Sequence, residues 1–301
     1  MSASKERVLI HGITGMLGHT LFLELSKNQN LEVFGTARYP DFNRWPIFKG
    51  HESNLRPDVD ADNFDSISRS LAAIQPTLVI NCIGLIKQLW WGSDPLAAIT
   101  VNAQLPHRIS LVCKAAKARL IHIGTDCVFN GKAGNYADDS PSTAEDIYGK
   151  TKSLGELSYP HCVTLRTSII GHEVKGRRGV VDWFLSQKGT VKGYAQAIFS
   201  GFPTVELSRI ISEFVIPNRS LSGVYNVSAA PLSKYRLLQM VKDRYGLDVE
   251  VVPSDEVVID RSLDSSRFRS MTGYQPPRWE TLVEHMYADY VKKKEAFQCY
   301  F

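Results

Sequence analysis

The stretch Arg7-Val8-Leu9-Ile10-His11, running into Gly12-Ile13-Thr14-Gly15-Met16-Leu17-Gly18, decides how this chain is read. Its first half is a short apolar run of β type. Its second half places glycines three residues apart, and the helix-like His19 to Lys27 follows. Between a strand and a helix, such a turn must admit the pyrophosphate of a dinucleotide. Gly12 permits the tight turn, Gly15 lets backbone N–H groups approach the phosphates, and Gly18 allows the helix to pack closely on the strand. Thr14, Met16 and Leu17 complete the expected cofactor turn. The glycines alone would also suit an ordinary strand–helix connection; the flanks favour the dinucleotide reading.

Beyond the helix-like His19 to Lys27, Leu31 to Ala37 reads as a second strand and ends in Arg38. An acid at this place suits the ribose 2′-hydroxyl of NAD, whereas an arginine suits a 2′-phosphate. The expected cofactor is therefore NADP(H), with NAD(H) as the alternative. Residues 40 to 57, with Pro40, Pro46 and Pro57, form an irregular connection. Asp62 to Ile74 is helical in pattern, with Asp60 just ahead of it at the adenine end. Thr77 to Asn81 is a buried strand, and Cys82, Ile83 and Gly84 form its cofactor-facing end. Pro95 to Ala118 reads as one long helix that Pro106 should kink or divide, and its Asn102 is assigned to the cofactor side. Arg119 to Ile123 and Cys162 to Arg166 are further strands. This β-α-β-α order calls for an α/β fold, a Rossmann-type doubly wound parallel sheet covered on both faces.

That sheet is expected to occupy residues 1–168 and to receive segments near 200–228. Residues 169–301 are expected to form mainly a smaller α/β substrate domain. There, Gly171 to Gly179 is polar and cationic through Lys175, Arg177 and Arg178, which suits either a flexible cover over an anionic ligand or a solvated loop. Val181 to Gln187, Val205 to Val215, Lys234 to Tyr245 and Thr281 to Lys294 read as helices. Val224 to Val227 and Val249 to Val252 read as strands. Lys292, Lys293 and Lys294 are placed near a helix C-terminus, where they favour the dipole.

The chain has 301 residues, 44% of them hydrophobic and 22% charged, the profile of a globular enzyme. A net charge of +4 is too mild to indicate nucleic acid, although it suits an anionic small molecule. Cys82, Cys113, Cys127, Cys162 and Cys299 are odd in number and never at metal-ligand spacing, so they read as reduced thiols in a cytoplasmic protein. No apolar run approaches the ~18 residues of a membrane span, and the N-terminus has no signal-peptide core.

Tyr148 and Lys152 lie four residues apart in the run from Glu145 to Leu157. If that run is helical, both side chains share one face. A free phenol titrates near pH ~10. A nearby ammonium should lower that value and fit the phenol for general acid–base work. Alone, the pair is more often a surface tyrosine beside a solvated lysine. Thr125, however, follows a strand in the half that carries the glycine turn, and strand C-termini in such sheets face the ligand crevice. The three suggest hydride transfer at a carbinol carbon: Tyr148 protonates the oxygen, Thr125 orients it, and Lys152 holds the nicotinamide ribose.

With these motifs in place, the chain resembles the extended short-chain dehydrogenases/reductases, and among them the dTDP-4-dehydrorhamnose reductase family. The resemblance rests on Gly12 to Gly18, Thr125-Asp126-Cys127-Val128-Phe129-Asn130-Gly131 and Tyr148 to Glu156. It extends through Arg166-Thr167-Ser168 and Gly201-Phe202-Pro203-Thr204. It implies reduction of a 4-keto-6-deoxy sugar carried on a nucleoside diphosphate, with Thr125, Tyr148 and Lys152 catalytic. It places Asp126, Arg166, Thr167, Ser168, Arg177 and Pro203, with Thr125, toward the substrate. A homodimer stays open. Cys127 stands where relatives usually carry an aromatic residue, and Gly124 where they carry serine. The related 4,6-dehydratases carry Asp-Glu after the threonine, and a neutral thiol is a poor replacement for that second carboxylate. A 4-epimerase and a non-catalytic, NADP-binding regulatory subunit are the competing readings.

Overall fold

The computed structural model describes residues 5–39, 41–42, 45–86, 94–176 and 178–298. Pro40, Arg177 and Cys299, singled out above, lie outside the described residues. The first half alternates strand and helix: β1 (Glu6–His11), α1 (Met16–Leu25), β2 (Leu31–Thr36), β3 (Leu55–Arg56), α2 (Phe64–Ile74) and β4 (Leu78–Asn81). Then come α3 (Pro95–Ala98), a π-helical segment (Ile99–Gln104), α4 (Leu105–Ala115), β5 (Arg119–Ile123), α5 (Ile147–Leu154) and β6 (Cys162–Arg166).

The second half begins with β7 (Ile169–Ile170), α6 (Val180–Leu185), β8 (Gly189–Tyr194), β9 (Ala197–Phe199), β10 (Phe202–Pro203) and α7 (Thr204–Ile210), which a π turn (Ile211–Val215) prolongs. It continues with β11 (Gly223–Asn226), β12 (Leu232–Ser233), α8 (Lys234–Tyr245), β13 (Val249–Ser254), β14 (Ile259–Asp260), α9 (Ser266–Thr272) and α10 (Trp279–Gln298).

Seven strands form one sheet in the order β11-β6-β5-β4-β1-β2-β3, and every pairing in it is parallel. The doubly wound reading holds, because the order reverses at β1 and β4. Runs such as Val8-Leu9-Ile10 and Leu78-Val79-Ile80 are wholly buried, as strands covered on both faces must be. Val8 and Ile10 pack into one core cluster and Leu9 into another, on the opposite side of the sheet. β11 comes from residues 223–226 and closes the β6 edge. Smaller sheets, β12-β9-β14, β13-β8 and β10-β7, carry the remaining strands.

Toward their carboxyl ends the strands carry an in-register polar row: Thr36, His11, Asn81, His122 and Thr164. His11 Nδ1 meets Thr36 Oγ1 at 3.0 Å, and Asn81 Nδ2 donates to His122 Nδ1 at 3.2 Å. Burial keeps both imidazoles neutral, with His11 pushed down to about 4.

Several elements differ from their expected bounds. α1 begins at Met16, so Met16, Leu17 and Gly18 form a helical first turn rather than loop. The expected helix Pro95–Ala118 is three segments ending at Ala115. Pro106 supplies no N–H, and its ring would crowd the carbonyl of Asn102, so the chain widens to a π turn just ahead of it. α10 runs on to Gln298, which puts Lys292 to Lys294 inside the helix instead of near its end, and Lys293 pairs with Asp289 at 2.7 Å.

Candidate active site

The glycine turn is built as its spacing suggests. Gly12 has φ +82°, a left-handed conformation that favours glycine. At Gly18 a β-carbon would overlap the Gly12 carbonyl, so glycine there sets how closely α1 approaches β1. Gly15 is the N-cap of α1 and no side chain caps that helix, leaving its leading N–H groups for an anion. Leu17 is buried in the core, so only its backbone is available to a cofactor.

The catalytic candidates sit on two elements that follow β5. Thr125 caps the short turn Asp126–Val128: its Oγ1 accepts from Cys127 N at 3.2 Å and donates to Asp126 Oδ1 at 3.3 Å. Tyr148 and Lys152 lie on α5, whose N-cap Asp146 accepts from Gly149 N at 2.9 Å. Two glycines seat this helix. A β-carbon on Gly149 would overlap the Cys127 carbonyl, and one on Gly155 would overlap the Asn102 carbonyl of the π segment. The tyrosine helix is thus wedged between the Thr125 turn and the widened helix, so its glycines are required as well as its phenol and amine.

Lys152 is buried, and its Nζ donates to the Ile123 carbonyl at 2.8 Å. A β-carbon on Gly84 would lie 3.8 Å from that nitrogen, so the ammonium lies across the carboxyl ends of β4 and β5. Burial lowers its pKa to about 8, against the charges of Glu156 and Cys82, which raise it. Tyr148 departs from expectation. Burial drives the phenol upward, with Cys127 and Asp126 adding to the rise, while a hydrogen bond with Thr125 opposes it. The half-buried phenol is held protonated, and the lysine that was to acidify it is turned to a carbonyl.

The other candidates divide. Cys82, Ile83 and Gly84 follow β4 directly, and burial raises the Cys82 thiol to about 12. Asn102 uses its amide on the chain itself. Its Oδ1 accepts from Leu85 N at 2.8 Å and its Nδ2 donates to Leu85 O at 3.1 Å, so it fixes the loop after β4. Asp60 Oδ1 accepts from Asp62 N at 3.2 Å in the turn before α2. Arg38, at the end of β2, is exposed beside Tyr39.

On the substrate side, Asp126 is buried and burial raises its carboxyl, opposed by Lys234 and Arg261. Arg166 is buried in a bidentate pair with Glu156, at 2.6 and 2.7 Å, and its Nη1 donates to the Asp138 carbonyl at 3.0 Å. Three of its five N–H donors are thus bonded within the protein. Thr167 is buried, and its carbonyl accepts from Asp126 N. Ser168 supplies a carbonyl to Phe202 N, and Pro203 pairs with Ile170 inside the structure. These residues position the Thr125 turn and the base of α7; Pro203 is too buried to touch a ligand.

Two cations here were not anticipated. Arg261 donates from Nε to the Phe129 carbonyl at 2.9 Å and from Nη1 to Cys127 Sγ at 3.7 Å. Lys234, the first residue of α8, places Nζ 3.9 Å from the Phe199 ring centre. Both come from beyond residue 230, and no local motif announces them.

Residues 6–292 match the RmlD substrate binding domain family. The chain belongs to that family. Among its relatives is methionine adenosyltransferase 2 subunit beta of Danio rerio, 26% identical over 256 residues, which are 80% of this chain and 74% of that protein. Another is dTDP-4-keto-6-deoxy-D-glucose reductase of Streptomyces niveus, 26% identical over 265 residues and 84% of each chain. In fold it is similar to a dTDP-4-dehydrorhamnose reductase from Bacillus anthracis solved in complex with NADP. The TM-score is 0.78 at 22% identity, covering 95% of this chain and 99% of that one. Within this RmlD-family chain, four cysteines are free thiols among the described residues. No helix among them is long and apolar enough to cross a membrane.

Proposed function

We propose that this chain is an NADPH-dependent reductase of a nucleotide-linked 4-keto-6-deoxy sugar. One observation carries the reading: Thr125, Tyr148 and Lys152 gather around the carboxyl end of β5, in the sheet whose β1 ends in the glycine turn. The turn fits a dinucleotide, because its left-handed Gly12, its close-packed Gly18 and an uncapped α1 leave backbone donors for a pyrophosphate. Gly12 and Gly15 would shape the turn around that group and Thr14, Met16 and Leu17 would hold it, with Arg38 on a 2′-phosphate. When bound, the reduced nicotinamide supplies a hydride to the keto carbon.

The chain's own residues do the remaining chemistry. Tyr148, kept protonated by burial, gives its proton to the sugar oxygen as charge develops there. Thr125 orients that oxygen. Lys152, fixed on the Ile123 carbonyl, holds the nicotinamide ribose hydroxyls. The names of the reductase relatives support this reading, as does the NADP complex of the similar structure. The free thiols suit a reducing cytoplasm. Light scattering decides whether the chain works as a homodimer.

The test is NADPH absorbance against a panel of dTDP-, UDP- and GDP-linked 4-keto-6-deoxy sugars. Stoichiometric oxidation with one of them is expected. Net conversion without NADPH consumption would instead indicate the epimerase. The likeness to methionine adenosyltransferase 2 subunit beta favours a second reading, a non-catalytic NADP-binding subunit. Stable co-purification with a partner enzyme, and no turnover of any sugar, would select it.

A further inference from the structure

At the end of β2, Tyr39 is approached by two cations from distant parts of the chain. Arg38 precedes it, with Cζ 5.6 Å from the ring centre. Lys175, between β7 and α6, donates from Nζ to the Tyr39 hydroxyl at 3.2 Å and lies 4.5 Å from the same ring centre. The platform is braced from below, because the buried Trp45 meets the Tyr39 ring edge-on at 5.2 Å. Among the described residues no carboxylate pairs with Arg38 or Lys175, so two like charges meet over a phenol that both draw below its ordinary pKa. That arrangement is repulsive as it stands and becomes favourable around a dianion.

The backbone around Lys175 is held at fixed points. Glu173 N donates to Asp182 Oδ2 at 2.7 Å, and Arg178 N donates to Glu173 Oε2 at 2.9 Å. Gly179 packs so closely on Met16 Cε that a β-carbon there would collide with it. Lys175 and Gly179 therefore stand at the two ends of one path, from the glycine turn to the tip of β2. A dinucleotide laid on this sheet follows the same path from pyrophosphate to adenosine ribose.

We infer that Lys175 is a second 2′-phosphate ligand, acting with Arg38 across Tyr39, and that it sets the preference of this chain for NADPH over NADH. The inference rests on the NADP reading of Arg38 given above. Lys175 would exchange its bond to the Tyr39 hydroxyl for a charge-assisted bond to the phosphate.

The experiment titrates the full chain with NADPH and with NADH, following nicotinamide fluorescence, for wild type, K175A, K175R and R38A. Melting temperatures confirm that each variant is folded. K175A should weaken NADPH binding about 10-fold while leaving NADH within about twofold, and K175R should restore most of the loss. Each tenfold corresponds to about 1.4 kcal/mol. Equal losses for both dinucleotides in K175A, or no loss, would overturn the role of Lys175. If K175A fails in this way while R38A weakens NADPH selectively, the Arg38 reading stands without Lys175. If wild type binds neither dinucleotide, or R38A weakens NADPH no more than NADH, the underlying reading fails and takes this inference with it.

Discussion

Lys152 Nζ donates to the Ile123 carbonyl at 2.8 Å, which ties the ammonium of the tyrosine helix to the last residue of β5. The bond places a buried positive charge at the mouth of the sheet instead of against the phenol four residues earlier. The consequences can be measured.

Because burial lowers Lys152 from 10.5 to about 8, its charge is lost as the pH rises through about 8. Dinucleotide affinity and turnover should decline above that pH. The stability effect has the opposite sign. Between about 8 and 10.5 the unfolded chain holds a proton that the folded chain has released, so the penalty of burying this lysine fades as pH rises. Urea denaturation at pH 7.5 and 9.5 should show wild type gaining on K152M over that interval.

Tyr148→Phe removes the proton donor and leaves the ring in place. Turnover should fall by roughly 10²- to 10⁴-fold, the usual worth of a positioned acid. Dinucleotide binding should stay within about twofold of wild type. Retained turnover in a stopped-flow assay would assign the proton to another group.

Gly155→Ala would press a methyl onto the Asn102 carbonyl. Overpacking of this kind costs typically 1–3 kcal/mol. Here it should also tilt α5 and displace Tyr148 and Lys152 together. Loss of both melting temperature and kcat is expected, whereas an exposed substitution such as K150A should change neither.

Arg166→Ala should act on stability. Removing one member of a buried ion pair costs about 3–5 kcal/mol. Guanidinium denaturation should report that loss, with KM nearly unchanged in whatever fraction stays folded. A raised KM at unchanged stability would return Arg166 to the substrate.

The cofactor half was largely legible because its information is local. Apolar runs ending at Gly12, Gly84 and Gly124 marked strand ends, and the helix Lys234–Tyr245 was bounded correctly by its Ser233 cap and left-handed Gly246. Strands β9 and β14, of three and two residues, are too short to show a period. β8 has an exposed first half and is held by pairing with β13 some sixty positions away. The site divides in the same way. Thr125, Tyr148 and Lys152 are visible as residue types in order, whereas the contacts of Lys175, Lys234 and Arg261 are made only by the fold. Spacing put Tyr148 and Lys152 on one helix but could not supply the phenol's proton affinity, which depends on what covers the ring.

The strand Gly223–Asn226 pairs with Cys162–Arg166 at the margin of the main sheet. During synthesis, that margin stays open until more than fifty further residues have been made. A nascent chain halted after Arg166 would present a bare apolar edge, ready to recruit a neighbour. Cutting the gene between its two halves should therefore yield an amino-terminal fragment that aggregates, and co-expression of the missing piece should rescue it.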